Sequence, residues 1–420
     1  MPRLIYSLIF LCLLPVILLR LLYRALRAPA YARRWPERFA LGGDLRAGGV
    51  WVHAVSVGEA IAAAPMVREL LVRYPHLPIT ISCMTPTGSE QIRKLFAGQV
   101  GHAYLPYDLP WLQRRFIRRL QPRLAIVMET ELWPNLVAEA GRARVPVVLA
   151  NARLSERSAR GYQRVSWLVR PMFAALDWVA AQTQAEAVRF ADLGVRKEAM
   201  SVTGSIKFDL QPAAELLQQA AELRAQWGQR PVWIAASTHA GEDEQILAAH
   251  QQVLKTVPDA LLLLVPRHPE RFAGVARMIR EAGLSLAQRS LQQQPGPAEQ
   301  VMLVDSMGEL MQFYACADMA FVGGSLVPNG GHNYLEPAAL GLPVLSGPHR
   351  FNFSEISQLL EGAGALQSVS DADSLARQLL QWMAQPQQAQ QAGAAGQAVV
   401  KANQGALNRL LEGLRRWLDC

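Results

Sequence analysis

The sequence predicts an α/β protein with two Rossmann-like parallel-sheet domains that follow an apolar N-terminal helix. Three observations support this. Short apolar runs alternate with helical patterns over residues 49–208, a second series of the same kind begins at Val232, and residues 4–19 are almost continuously apolar. Alternation of this kind is typical of a parallel sheet with helices on both faces. Two such domains in tandem predict that they face each other across a central ligand cleft.

The N-terminal segment, residues 1–28, is long enough to cross a bilayer. Its apolar stretch is interrupted by Pro15 and extends through Leu21 and Tyr23 to about 20 residues, the length that a membrane-spanning helix needs. It then runs into arginines instead of a small-residue cleavage site, which predicts a single uncleaved anchor with the rest of the chain cytoplasmic. A helix that lies in the membrane interface without crossing is the alternative.

The composition limits the class of protein. The chain has 420 residues, 51% of them hydrophobic, which allows two domains with sizeable cores. The four cysteines lack metal-ligand or framework spacing, which argues against a disulfide scaffold or a zinc site and fits a reducing compartment. The formal net charge of +8 suits an anionic partner. Without a base-stacking or helix-turn-helix pattern, we expect a phosphorylated substrate or anionic lipid and no nucleic acid.

The two series of strands set the predicted domain boundaries. We place the first domain at residues 29–210, a linker with one helix at 211–230, and the second domain at 231–420. The second domain is given the terminal helices, where leucines recur at helical spacing. We predict five strands per domain: 49–53, 79–83, 124–128, 145–149 and 178–181 in the first, and 232–236, 260–265, 301–304, 319–322 and 343–345 in the second.

Acidic residues follow two of the predicted strands of the first domain. Glu59 ends the segment SVGE (56–59) at the start of an alanine-rich helix, where a carboxylate could take a proton from an acceptor hydroxyl. A surface Glu favoured by the helix dipole is the alternative. Glu129 and Glu131 follow strand 124–128, and mutual repulsion in one pocket would raise at least one pKa. Otherwise Glu131 caps the next helix and Glu129 pairs with an arginine.

A glycine-rich segment, GGSLVPNGGHNYLEP (323–337), follows strand 319–322 of the second domain. A strand, a glycine loop, a helix with an early Glu and another strand are how many sugar-nucleotide transferases hold their donor. Glycines let the backbone approach a ligand, and the first amides of a helix favour an anion. Glu336 could accept two hydrogen bonds from a ribose. The alternative is an ordinary βα turn whose glycines only serve packing.

Other segments predict contacts with anions. Ser237 or Thr238 can cap a helix whose free amides bind phosphate, and Arg267 after strand 260–265 can pair with phosphate or carboxylate. In the first domain, arginines between residues 151 and 170, beginning with Arg153, form a predicted grip on phosphate. The basic stretch 111–123 is either a membrane-surface helix or a packed helix with a solvated basic face. Since no prominent Asp-x-Asp pair is present, we predict transfer without a metal.

Together these motifs resemble the Kdo transferases, the 3-deoxy-manno-octulosonic acid transferases of Gram-negative lipopolysaccharide synthesis. The resemblance covers nearly the whole chain, and the motifs occur in the order found in the family. The motifs are SVGE (56–59), METELWPN (128–135), NARLS (151–155), STHAGEDE (237–244), PRHPERF (266–272) and the glycine segment (323–337).

The resemblance implies a GT-B glycosyltransferase on the cytoplasmic face of the inner membrane, in contact with its anionic lipids. Such an enzyme transfers Kdo from CMP-Kdo to the lipid A precursor (lipid IVA) with inversion, releases CMP and needs no cofactor. It implies that Glu59 is the general base and Glu129 a second required acid. It implies donor contacts by Arg267, Gly330, Asn333 and Glu336, and we also predict donor contacts by Ser237, Thr238 and His268. We predict acceptor contacts by Ser56, Glu131, Asn151 and Arg153.

Other functions fit the same pattern. The first is a UDP-sugar-dependent GT-B transferase of lipid A or peptidoglycan precursor synthesis, which would be protected thermally by UDP and not by CMP. A sugar-nucleotide epimerase shares the architecture but would not need an anchor. A membrane tether that kept the fold and lost catalysis would be expected to lose its acids, whereas Glu59, Glu129 and Glu336 are all present.

Overall fold

The computed structural model describes residues 2–419 and divides the chain into two compact units. The first unit comprises the chain up to Lys207 together with the segment from Gln404 onward, and the second runs from Phe208 to Asn403. Each unit is built around one seven-stranded sheet. The pairing is parallel throughout both sheets.

Helices cover the faces of both sheets. In chain order they are α1 (Pro2–Arg27), α2 (Val57–Arg73), α3 (Pro86–Phe96), α4 (Pro110–Leu120), α5 (Pro134–Arg142), α6 (Glu156–Arg164), α7 (Ser166–Ala174), α8 (Gln184–Asp192), α9 (Ala214–Ala225), α10 (Asp243–Thr256), α11 (Phe272–Glu281), α12 (Leu310–Ala315), α13 (Leu335–Ala339), α14 (Ser354–Gly362), α15 (Ala372–Ala384), α16 (Pro386–Asn403) and α17 (Ala406–Leu418). Helices α1–α8 and α17 belong to the first unit, and α9–α16 belong to the second.

The first sheet has the order β3-β2-β1-β4-β5-β6-β7. Its strands are β1 (Val50–His53), β2 (Ile79–Cys83), β3 (Gly101–Tyr104), β4 (Leu124–Met128), β5 (Val147–Ala152), β6 (Trp178–Ala181) and β7 (Met200–Val202). Strands β1, β2 and β4 are buried along their whole length, as expected of a sheet that is covered on both faces. The strand order reverses between β1 and β4. Such a switch point leaves a crevice at the carboxyl ends of the strands, where ligands bind in open α/β sheets.

The second sheet has the order β10-β11-β9-β8-β12-β13-β14, with its switch point between β8 and β12. Its strands are β8 (Val232–Thr238), β9 (Leu261–Pro266), β10 (Leu286–Gln288), β11 (Val301–Leu303), β12 (Met319–Val322), β13 (Val344–Ser346) and β14 (Leu366–Ser368). Helix α9, predicted as part of a linker, packs against this sheet through Ala220 and Leu223. It is therefore an outer layer of the second unit.

The C-terminal helix lies in a different unit from the one that the sequence predicted. The leucines of α17 join the core of the first unit, together with Trp178 of β6 and Val67 of α2. The helical spacing shows that one face of α17 is buried, but it carries no information about which sheet receives that face. The leucines are Leu410, Leu411, Leu414 and Leu418.

All ten predicted strands are present, and the structure adds two to each sheet. The added strands are β3, β7, β10 and β14, which form the four edges of the two sheets. Three of them have only three residues, and β7 is not buried at any position. Strands β7 and β14 also have exposed or partly exposed positions, so neither carries a continuous apolar run for a local pattern to detect.

Candidate functional site

The predicted general base lies at the switch point of the first sheet, where β1 gives way to α2. Ser56 is the N-cap residue of α2, and its hydroxyl accepts from the amide of Glu59. The Glu59 carboxylate is buried and held from two sides: the Val55 amide donates to one oxygen at 2.8 Å and the Ser56 hydroxyl to the other at 2.9 Å. The alternative of a Glu on the open surface therefore does not apply.

The surroundings of Glu59 favour its protonated form. Burial raises the pKa of its carboxyl from 4.5 to about 7, against the opposing effect of the two hydrogen bonds. The negative charges of Glu131 and Glu129 contribute a smaller part of this rise. The three acids that follow β1 and β4 are thus close enough to interact, as expected of neighbouring strands at a switch point. A carboxyl that is half ionised near neutral pH can take up a proton and release it again.

Glu129 and Glu131 occupy the loop between β4 and α5. Glu129 is paired with Lys207 (Nζ to Oε1, 3.5 Å), and burial raises the pKa of Glu131, with the Glu129 charge adding to it. The alternative in which Glu131 caps α5 does not hold. The first amides of α5 bind instead to the buried carboxylate of Asp108, from Asn135 at 3.0 Å and from Leu136 at 2.9 Å.

Three of the predicted site residues have the left-handed backbone conformation that non-glycine residues rarely adopt. They are Glu129 (φ 54°) after β4, Asn151 (φ 51°) near the end of β5 and Ser237 (φ 57°) near the end of β8. In β5 and β8 the residue lies where the strand register shifts. Such strained residues persist where the surrounding structure holds them, and they cluster at functional sites.

The other two predicted acceptor-binding residues, Asn151 and Arg153, lie at the end of β5 and just after it. Asn151 is buried, and its side-chain oxygen accepts from the Ile206 amide at 3.2 Å, so it fixes the backbone beside β6 and β7. The backbone carbonyl of Arg153 accepts from the Thr130 hydroxyl, which ties the loop after β5 to the loop after β4. Sequence reasoning did not find Asp108, because its signal is an isolated acid before a proline-started helix.

In the second unit, Glu242 joins the ends of β8 and β12. It is completely buried, and its carboxylate accepts from four backbone amides. One oxygen accepts from His239 at 2.9 Å and Gly324 at 2.7 Å, and the other from Ser325 at 3.0 Å and Leu326 at 2.9 Å. The amides of the glycine loop that were expected to approach an anionic ligand therefore already bind an anion of the protein. Sequence reasoning assigned no role to Glu242, because nothing local to it signals a bond to a distant loop.

The residues after β8 are positioned differently from the prediction. The N-cap of α10 is Glu242, without a side-chain cap bond, so neither Ser237 nor Thr238 caps this helix. Thr238 is fully buried, and its hydroxyl donates to Asp243 at 2.6 Å. Asp243 in turn pairs with Arg271, whose guanidinium also donates to the Thr238 carbonyl at 2.7 Å. Among these residues, Ser237 and Arg271 stay partly accessible, whereas Thr238, Glu242 and Asp243 are buried.

Basic side chains gather beside the glycine loop. Arg267 and His268 are exposed after β9. The rings of His239 and His332 stack with centroids 5.1 Å apart, and their Nε2 atoms are 2.8 Å apart. Burial, aided by the charge of Arg267, lowers the pKa of His332 to about 4, and burial also lowers the pKa of His239. The histidine pair is therefore neutral near pH 7, and Arg267 supplies the permanent positive charge.

Asn333 and Glu336 form a unit at the start of α13. Asn333 donates to the Glu336 carboxylate at 3.1 Å and accepts from the Leu335 amide at 3.1 Å. Burial raises the pKa of Glu336, while Asn333 and the charge of Arg267 oppose the rise. Helix α13 has only five residues, and its first amide, that of Leu335, is already bound to the Asn333 side chain. The structure therefore gives no support to the expected anion at the start of this helix. The Glu336 carboxylate remains a suitable acceptor for sugar hydroxyls.

Gly330 is required by the local packing. Its φ is 92°, and a Cβ at this position would collide with the amide of Asn352 and the ring of Phe351. The Asn352 amide nitrogen also donates to the Asn329 carbonyl at 2.8 Å. This glycine therefore shapes the loop, as in the alternative of a βα turn, while the polar residues beside it keep their accessibility.

Comparison with known proteins identifies the family. A family model described as 3-deoxy-D-manno-octulosonic-acid transferase (kdotransferase) matches residues 33–210. The 3-deoxy-D-manno-octulosonic acid transferase of Haemophilus influenzae is 46% identical over 100% of this chain and 99% of its own length. The chain belongs to the Kdo transferases. The Bordetella pertussis protein of the same description is 40% identical over 100% of both chains. The predicted family and the glycosyltransferase activity are thereby confirmed.

The fold of this Kdo transferase also agrees with solved structures. UDP-GlcNAc 2-epimerase from Neisseria meningitidis superposes with a TM-score of 0.59, is 14% identical, and covers 88% of this chain and 100% of its own. At that identity the likeness concerns the fold alone, and the sequence relationship decides against an epimerase. The predicted GT-B class, with two parallel sheets flanked by helices, is confirmed.

Proposed function

We propose that this Kdo transferase takes Kdo from CMP-Kdo, joins it to a hydroxyl of the lipid A precursor (lipid IVA), and releases CMP with inversion at the anomeric carbon. The observation that carries the proposal is the Glu59 carboxylate, buried at the switch point of the first sheet with a pKa of about 7. Inverting displacement needs one base on the side opposite the leaving group. A base with a pKa near the working pH suits that task.

The second unit supplies the groups that a CMP-sugar needs. Arg267 offers a fixed positive charge to the single phosphate of CMP, and Glu336, oriented by Asn333, offers a carboxylate to the ribose hydroxyls. Charge developing on the leaving phosphate is stabilised by an arginine that is already in place. Transfer without a metal stays part of the proposal, and so does the donor role of His268 and Ser237.

The first unit supplies the acceptor side. Glu129 is held by Lys207 in a strained conformation, and Glu131 lies beside it with a raised pKa. We assign Glu129 as the second required acid, which keeps Glu59 poised through its charge, and Ser56 as the residue that orients the base. We assign Arg153 to a phosphate of the lipid acceptor; its support is the backbone bond to Thr130 that ties its loop to the loop of Glu129.

The enzyme is proposed to work at the cytoplasmic face of the inner membrane. Helix α1 supports this location, because it is long and apolar enough to span a membrane and is followed by arginines. The lipid-borne acceptor and the exposed apolar surface of α1 both favour attachment to a membrane.

The decisive experiment is Glu59→Gln in the full chain. We expect loss of Kdo transfer from CMP-Kdo to the lipid A precursor, measured by mass spectrometry of the product, with thermal protection by CMP retained. Glu69→Gln, on the same helix but half exposed, is the matched control and should transfer normally. Near-normal turnover of Glu59→Gln would contradict the assigned base, and protection by UDP but not CMP would favour a UDP-sugar transferase.

A further inference from the structure

Helix α1 packs along the first unit with one face. The residues turned toward the unit recur at helical spacing from Arg3 to Leu21. Phe10, Leu14, Ile17 and Leu18 pack against an apolar cluster made of Tyr107, Leu109 and Leu112. At 1.5 Å per residue, the packed stretch from residue 3 to 21 runs for about 27 Å. The helix therefore follows the unit instead of projecting from it.

The first turns of α1 make polar contacts with the same unit. Asn135 donates to the Ser7 hydroxyl at 3.0 Å, and Arg3 lies 3.7 Å from the Glu139 carboxylate. Tyr6 interacts with Asp108, the residue that caps α5. Asp108, Asn135 and Glu139 are all buried. The N-terminal end of α1 thus covers charged and polar groups of the unit.

The opposite face of α1 is apolar and exposed along its length. Its aliphatic side chains are between 43% and 65% exposed, which soluble monomers rarely tolerate over so long a surface. They are Leu4, Ile5, Leu8, Ile9, Leu11, Leu13, Val16, Leu19 and Leu22. We call this set the outer face of α1. Half-exposed Trp111 at the start of α4 continues it, since Trp111, Leu4, Leu8 and Leu11 line one groove of about 330 Å³.

Positive charge borders this apolar surface. Arg20, Arg24 and Arg27 occupy the last turns of α1, and the exposed side of α4 carries arginines after Trp111. The arginines of α4 are Arg114, Arg115, Arg118 and Arg119. Apolar side chains with tryptophan at their margin and arginines around them match an anionic bilayer surface. The occupant that this surface fits is therefore a lipid bilayer.

A spanning orientation conflicts with these contacts. If α1 crossed the bilayer while packed as observed, Asp108, Asn135 and Glu139 would be drawn into the hydrocarbon layer beside it. Charged groups at that depth are costly. If α1 left the unit to span alone, it would uncover Tyr107 and Leu109 and break the contacts of Arg3 and Ser7.

We propose that α1 lies in the plane of the membrane interface and does not cross the bilayer. Its outer face and Trp111 enter the lipid together, and its inner face stays on the first unit. This inference rests on the proposed membrane attachment and concerns its geometry. It replaces the single-pass anchor of the sequence prediction with the alternative of an interfacial helix.

The test is a depth measurement on the full chain in vesicles of phosphatidylethanolamine and phosphatidylglycerol. Cys12 and Cys420 are replaced by serine, and the buried Cys83 and Cys316 are kept. Single cysteines are then introduced and labelled with an environment-sensitive fluorophore, which is quenched by nitroxides placed shallow or deep on the lipid chains. The variants are Leu4→Cys, Leu11→Cys, Leu19→Cys, Trp111→Cys and, as a control, Val72→Cys on α2, which is 76% exposed.

We expect the shallow nitroxide to quench residues 4, 11, 19 and 111 to a similar extent, and residue 72 to stay unquenched. A spanning helix gives another pattern: residues 4 and 19 lie about 22 Å apart along the axis, so quenching by the deep nitroxide would peak at residue 11. That pattern, with residue 111 unquenched, would overturn the in-plane geometry alone. Absence of quenching at every position would overturn the membrane attachment itself.

Discussion

The Glu242 clamp, defined as the Glu242 carboxylate and the four amides it accepts, gives a prediction whose size follows from the contacts. Glu242→Gln keeps one oxygen but turns the other into an NH₂ group that faces two amide donors. A hydrogen bond to a charged acceptor contributes about 1.5–3 kcal/mol, and a buried amide left without an acceptor costs about 1–3 kcal/mol. Because such terms are not additive, we expect the local opening of residues 323–326 to become easier by about 3 kcal/mol.

Hydrogen exchange measures that opening directly. A change of about 3 kcal/mol corresponds to amide exchange that is roughly a hundredfold faster or more. The amides concerned are those of Gly324, Ser325 and Leu326. Whole domains are stable by about 5–15 kcal/mol, so the variant should still fold. Exchange followed by mass spectrometry on a peptide covering β12 and the glycine loop reports the local effect, and CMP should bind more weakly.

The control is Glu244→Gln, two residues further along the same helix and exposed. Surface substitutions of this kind usually change stability by less than about 0.5 kcal/mol, so exchange in the glycine loop should stay unchanged. Unaltered exchange of residues 323–326 in Glu242→Gln would refute the clamp. Faster exchange across every strand of the second unit would show that the carboxylate supports the unit as a whole and not the loop.

Three further predictions concern the donor and acceptor residues. Glu129→Gln removes a negative charge near Glu59 and should therefore lower the pKa of Glu59. The acid limb of kcat/KM against pH, expected near the pKa of about 7 in the parent chain, should move to lower pH. A move to higher pH would contradict this electrostatic explanation. Gly330→Ala should lower Tm by more than Gly308→Ala. Both glycines have φ near 90°, but a Cβ at Gly330 would collide with its neighbours, whereas a Cβ at Gly308 meets nothing within 4 Å. Equal losses of Tm would mean that backbone strain alone, without the collision, accounts for the effect at Gly330. Arg267→Ala should raise the KM for CMP-Kdo by about tenfold or more, as expected for loss of one charge-assisted contact, and an unchanged KM would remove Arg267 from the donor site.

The strands that the sequence did not predict share a physical cause. Central strands such as β4 are buried on both faces, so most of their residues are apolar, and a nearly continuous apolar run results. Edge strands such as β7 and β14 have three residues each, and their exposed or partly exposed positions include polar side chains. The local sequence pattern therefore predicts the central strands of a parallel sheet and misses its edge strands.

The same reasoning explains which site residues could be predicted. Glu129 directly follows the apolar run of β4, and Glu59 lies at the start of the helix that follows β1, so both could be placed at the carboxyl ends of strands from the local pattern. Glu242 lies four residues beyond the end of β8, in a segment of several acids, and three of the four amides it accepts are more than 80 residues away. Nothing local distinguishes a carboxylate that binds backbone amides across the sheet from one that faces solvent. Long-range pairing of that kind becomes visible only in the folded chain.

The raised pKa of Glu59 has a consequence for stability that separates its catalytic and structural roles. Its pKa is about 7 in the folded chain against 4.5 for an ordinary Glu, so the folded state binds more protons and stability falls as pH rises from about 4.5 to 7. At 1.36 kcal/mol per pH unit the full cost is about 3 kcal/mol above pH 7. Glu59→Gln removes the ionisation, and we expect its Tm to exceed that of the parent chain at pH 8 and to approach it at pH 5. Glu69→Gln should show no such trend. A Glu59→Gln variant that melts lower than the parent chain at pH 8 would mean that Val55 and Ser56 stabilise the ionised carboxylate more than burial opposes it, and the acid would then be a structural anchor instead of a poised base.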